Sequence, residues 1–61
     1  MSVEEYWAAV KALNLTQSKV PTVYLDSEGA TYNVPDPARL PNDGVRLDVI
    51  RRLRAAMGVA Q

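Results

Sequence analysis

Sixty-one residues, 48% of them hydrophobic and 23% charged, describe one small globular domain rather than a disordered or membrane-spanning chain. Neither Cys nor His occurs, which excludes a disulfide framework and a Cys/His zinc site and leaves stability to packing. Seven basic residues balance seven acidic ones, but residues 1–36 hold two basic against five acidic (−3) and residues 37–61 five against two (+3). Such halves attract each other within one copy or between two, and the balanced total lacks the global basic field of many nucleic-acid binders.

A chain of this size buries only ~60% of the surface that its unfolded form exposes, so a homo-oligomer is an expectation from the outset. No apolar run approaches the ~20 residues of a membrane span, and the Met-Ser-Val-Glu-Glu start has no signal-peptide character. A cytoplasmic protein is expected.

Ser2 followed by Glu5 forms a capping box, and Met1 with Tyr6 supplies a hydrophobic staple, so the first helix begins at residue 3. Val3, Trp7, Val10 and Leu13 recur at helical spacing, and Asn14 is a good left-handed terminator with Leu15 folding back on Val10. The helix is placed over residues 3–13.

Thr16 to Lys19 reads as a polar link. Pro21 then forces Val20 into an extended conformation, and two β-rich runs, Thr22-Val-Tyr-Leu25 and Ala30-Thr-Tyr-Asn-Val34, flank Asp26-Ser-Glu-Gly29. A hairpin over 22–34 is expected, with Gly29 at positive φ. A four-residue loop pairs Leu25 with Ala30 and Val23 with Tyr32, which gathers Val23, Leu25, Ala30, Tyr32 and Val34 on one face. Thr22, Tyr24, Thr31 and Asn33 then lie on the other. A three-residue loop would pair Tyr24 with Tyr32 and mix the two sets, so the first register is preferred.

Residues 35–41 form a Pro-rich connector in which Asp36-Pro37 opens at most one helical turn. Asn42 caps a second helix over 43–57, with Val45, Val49, Ile50, Leu53 and Met57 as its apolar stripe, Leu47 at the border and Gly58 as terminator. The expected fold is α+β, in the order helix, β-hairpin, helix (αββα), with two helices packed on a two-stranded antiparallel sheet. Trp7 is the expected core anchor, set against the second helix and the Val23, Leu25, Tyr32 face.

General acid/base catalysis has few candidates here, because His and Cys are absent and Glu4, Glu5, Asp26, Glu28, Asp36 and Asp43 each have a structural task at a turn or a helix start. Asp26-Ser-Glu-Gly29 is too short for a calcium loop, and the isolated glycines form no phosphate cradle. The expectation is a non-catalytic protein with no cofactor and no metal. Tyr24, flanked by Thr22 and Thr31 on the polar face of the hairpin, is the candidate contact residue for a protein partner, and the two hairpin edges are able to accept another strand. Nucleic acid is the alternative partner, through Arg46, Arg51, Arg52 and Arg54 of the second helix with the hairpin as a wing. These arginines spread around the helix at 100° per residue, and Asp48 is placed to pair with Arg51 or Arg52.

Two resemblances bear on function. Leu15-Thr-Gln-Ser-Lys19 resembles the Leu-Thr-Gln that opens the second helix of a helix-turn-helix, but Pro21 and a strand stand where the recognition helix would follow. The order helix, hairpin, helix resembles the small head-to-tail joining proteins of tailed bacteriophages in architecture alone. That resemblance implies a protein-interaction module, an accessory or structural protein of a bacterium or bacteriophage, and assigns no residue a role.

Overall fold

The computed structural model describes residues 1–59. Helix α1 (Val3–Ala12) is followed by strands β1 (Thr16–Gln17), β2 (Val23–Leu25) and β3 (Thr31–Asn33), a 3₁₀ turn (Pro37–Arg39) and helix α2 (Asp43–Met57). The strands form an antiparallel sheet in the order β1-β2-β3, and α1 packs against α2. The architecture is α+β, with a three-stranded sheet where the sequence suggests two strands.

Local chemistry accounts for the element ends. The Ser2 hydroxyl accepts from the Glu5 N–H and the Glu5 carboxylate accepts from the Ser2 N–H, so the capping box is complete. Asn14 adopts φ 58°, which its short polar side chain tolerates, and reverses the chain after α1. The Asp36 carboxylate caps the 3₁₀ turn through the Ala38 N–H, and the Asn42 side chain caps α2 through the Val45 N–H. Gly58, at φ 74°, ends α2, with the Val59 N–H bonded to the Arg54 carbonyl.

The extra strand comes from the segment expected to be a polar link, where the sequence resembles the start of a helix-turn-helix. Ser18 and Val23 close a tight reversal: the Ser18 N–H donates to the Val23 carbonyl at 2.9 Å and the Val23 N–H to the Val20 carbonyl at 3.0 Å. Thr16 and Gln17 are thereby laid against Leu25 and Tyr24. A strand that short has no period to read in the sequence.

The hairpin register differs from the preferred one. Val23 pairs with Asn33, Tyr24 with Tyr32 and Leu25 with Thr31, across a three-residue loop. Asp26 selects it. Its carboxylate accepts from the Glu28 N–H at 2.8 Å and the Ala30 N–H at 2.9 Å, while its backbone N–H donates to the Ala30 carbonyl. Desolvation works to raise the Asp26 pKa, but these backbone bonds, with the Tyr32 hydroxyl at 3.2 Å, outweigh it and hold the carboxyl below its usual value. Gly29 takes φ 83°, as expected, in the left-handed position that a three-residue hairpin loop needs.

The core therefore holds Tyr6, Val10, Tyr24, Val34, Ile50 and Leu53. Tyr24, expected to be exposed, is buried, and Trp7, expected to be buried, is 40% exposed. Val10 and Leu13 face inward as expected, but Tyr6, flanked by Ala9, takes the place that the Val3, Trp7, Val10 and Leu13 stripe gives to Trp7, so the helix is turned towards Tyr6. Tyr6 earns the place because its hydroxyl has a partner, donating to the Pro35 carbonyl at 2.7 Å and tying α1 to the connector. Burial of that phenol raises its pKa to about 12, with Tyr24 and Asp36 adding to the effect.

Tyr6→Ala should cost about 3–5 kcal/mol, the range for truncating a buried aromatic. Trp7→Ala should cost clearly less and leave the fold intact. Chemical denaturation of both variants checks the order, and a Trp7→Ala variant less stable than Tyr6→Ala would contradict this core.

Candidate functional site

Turning α1 and slipping β2 by one residue leaves an aromatic groove between α1, the sheet and the connector. Its volume is about 600 Å3. Buried Tyr24 and Val34 are its deepest lining residues, and half-buried Pro35 and Leu40 stand above them. Trp7 supplies the exposed aromatic surface. Its ring meets Tyr6 edge-on at 5.5 Å and lies 6.5 Å from Tyr24 at 38°, so it packs against both tyrosines. The exposed rim is formed by Pro21, Thr22, Asp36 and Arg39, with Gln17 bonded through Nε2 to the Pro21 carbonyl at 3.2 Å.

Of the expected contact residues, Thr22 and Tyr24 do meet in this groove, though Tyr24 is buried and offers little surface. Thr31 does not join them. It points to the opposite face of the sheet, because it pairs with Leu25 one residue out of phase with Tyr24. Sequence reasoning missed Trp7, Leu40 and Arg39 as groove residues. The signal available for Trp7 was its place 100° from Tyr6, beside an equally apolar stripe; nothing local marks Leu40 or Arg39.

The arginines of α2 have separate tasks. Arg46 is largely buried and acts as a clamp: Nε donates to the Pro37 carbonyl at 2.9 Å, Nη2 to the Leu40 carbonyl at 3.4 Å, and Nη1 pairs with Asp43. It satisfies carbonyls at the end of the 3₁₀ turn and fixes the connector that carries Pro35, Arg39 and Leu40. Arg52 is exposed and pairs with Asp48 at 3.1 Å through Nε. Arg51 is exposed and Arg54 half-buried, so the four do not form one basic row.

Among the described residues there is no cluster of three or more acidic side chains placed to hold a metal ion. No helix among them is long and apolar enough to cross a membrane. No family model matches the chain, and no curated protein or solved structure matches it either.

Arg46→Gln should lower stability by about 1.5–3 kcal/mol, the scale of a hydrogen bond to a charged group, whereas Arg51→Gln should change it by less than about 0.5 kcal/mol. Thermal melts of the two variants test the clamp. Equal melting temperatures would show that Arg46 holds nothing in place.

Proposed function

We propose that this domain is a non-catalytic protein-interaction module that receives a protein partner in the Trp7–Tyr24 groove. The observation that carries the reading is an exposed Trp7 packed beside Tyr24 and lining the same groove as Arg39. Trp, Tyr and Arg are the side chains that dominate binding energy at protein interfaces, and here all three line one concave site. A rigid indole loses little conformational entropy on binding, which favours contact over chemistry. A place as an accessory or structural protein of a bacterium or bacteriophage fits a domain that acts by contact.

Nucleic acid is less well supported as the partner. Arg46 is consumed inside the fold, Arg52 is paired with Asp48, and Arg51 and Arg54 alone form no continuous phosphate-binding row.

Trp7 is the chain's one tryptophan and therefore reports on its own site. A displayed library of random peptides panned against the protein should yield binders that shift Trp7 fluorescence to shorter wavelength. Trp7→Ala should weaken those binders roughly 30-fold, the effect of removing an interface hot spot of about 2 kcal/mol. A selection that yields no binder which shifts the fluorescence and is weakened by Trp7→Ala would overturn this reading.

A further inference from the structure

A second cleft, of about 360 Å3, runs between the free side of β3 and helix α2. It shares only Pro35 with the Trp7 groove. In an antiparallel ladder the bonded and non-bonded pairs alternate. The Val34 N–H donates to the Thr22 carbonyl and the Asp26 N–H to the Ala30 carbonyl, so Tyr32 is the next bonded residue between them. Thr31 and Asn33 consequently turn their N–H and C=O groups away from β2, towards the open edge. Both residues are exposed.

The two edges of the sheet are not alike. β1 is two residues long and is flanked by Lys19 and Pro21, devices that discourage pairing. The β3 edge carries no Lys or bulge, and its paired conformation runs from Ala30 to Val34 before Pro35 ends it, which leaves a longer open stretch than β1 offers. Two donors and two acceptors, repeating at about 6.8 Å for every second residue of an extended chain, are the complement of another strand. Beside this edge the cleft is lined on the α2 side by Val49, Leu53 and Ala56, all apolar, with Arg52 as its one charged residue. The Arg52 side chain is 81% exposed.

We propose that the β3 edge takes an extended segment of a partner protein as a fourth strand. The segment places an aliphatic side chain in the cleft against Val49, Leu53 and Ala56. A neighbouring Asp or Glu of the segment meets the Nη groups of Arg52, whose pairing with Asp48 is made through Nε. A second copy of this chain fits less well: its own β3 would offer Tyr32 on the helix side, and that side chain is already held by Asp26 and packed on the core. The proposal stands independently of the Trp7 groove.

The test uses the full chain and a library of ten-residue peptides that alternate aliphatic with variable positions and carry Asp or Glu. Selected peptides should slow hydrogen exchange at the Thr31 and Asn33 amides at least tenfold. N-methylation of the peptide amides that face β3 should abolish binding, while methylation of the intervening amides should not; this comparison leaves the protein unaltered. Arg52→Glu should weaken acidic peptides about tenfold, Asn33→Pro should remove an edge donor and with it most of the affinity, and Trp7→Ala should leave the affinity unchanged. The proposal is overturned if no peptide is selected, if bound peptides leave Thr31 and Asn33 exchange unaltered, or if both sets of methylated peptides bind equally. Sedimentation showing a dimer whose interface protects the same two amides would likewise overturn it, by putting a second copy in the partner's place.

Discussion

The hydrogen bonds gathered by the Asp26 carboxylate fix the register of β2 against β3, and the rest of the molecule follows from that register. Because side chains alternate across a strand, a shift of one residue exchanges the buried and exposed sets of β2. Asp26 closes a three-residue loop through the Glu28 and Ala30 amides, Gly29 supplies the left-handed position, and Tyr24 is thereby placed opposite Tyr32 on the helix side of the sheet. Val23 and Leu25 go to the other face and remain half-buried. Tyr24 buries far more apolar area than either of them would, and that gain supports the same register as the turn does.

Both candidate interaction surfaces derive from this choice. With Tyr24 inside, the core has room for one further aromatic from α1, and Tyr6 fills it with its hydroxyl bonded to Pro35. Trp7, one residue on, is left at the surface beside the ring of Tyr24, where it builds the groove. The same register turns the Thr31 and Asn33 backbone groups towards the free edge. Arg46 then holds the connector over the groove by bonding the Pro37 and Leu40 carbonyls, so that a residue expected at a nucleic-acid surface serves to position Pro35, Arg39 and Leu40.

Much of the fold was legible in the sequence because its boundaries are set by local chemistry. The Ser2 and Glu5 box, Asn14, Asp36, Asn42 and Gly58 each act on their own neighbours and end or begin elements where expected. Gly29 was legible for the same reason. What was not legible depends on competition between nearly equal patterns. α1 carries two overlapping apolar stripes, one with Trp7 and one with Tyr6, and only the Pro35 carbonyl, 29 residues away from Tyr6, decides between them. The loop length was ambiguous because Asp26 serves either as the first loop residue or as the last paired one, and pattern alone favours neat segregation over the burial of Tyr24. β1 is two residues long and exists because Ser18 to Val23 folds it back, which leaves no period to read.

The register is the central claim, and cross-strand contacts between α-protons measure it directly. In non-bonded antiparallel pairs the two Cα atoms approach to about 4.5 Å and their protons face each other, giving strong nuclear Overhauser effects. The structure requires strong Hα–Hα effects between Val23 and Asn33 and between Leu25 and Thr31. Strong Hα–Hα effects instead between Tyr24 and Thr31 or between Thr22 and Asn33, the non-bonded pairs of a hairpin closed by Leu25 and Ala30, would establish the four-residue loop, turn Tyr24 outwards and contradict the account of both surfaces.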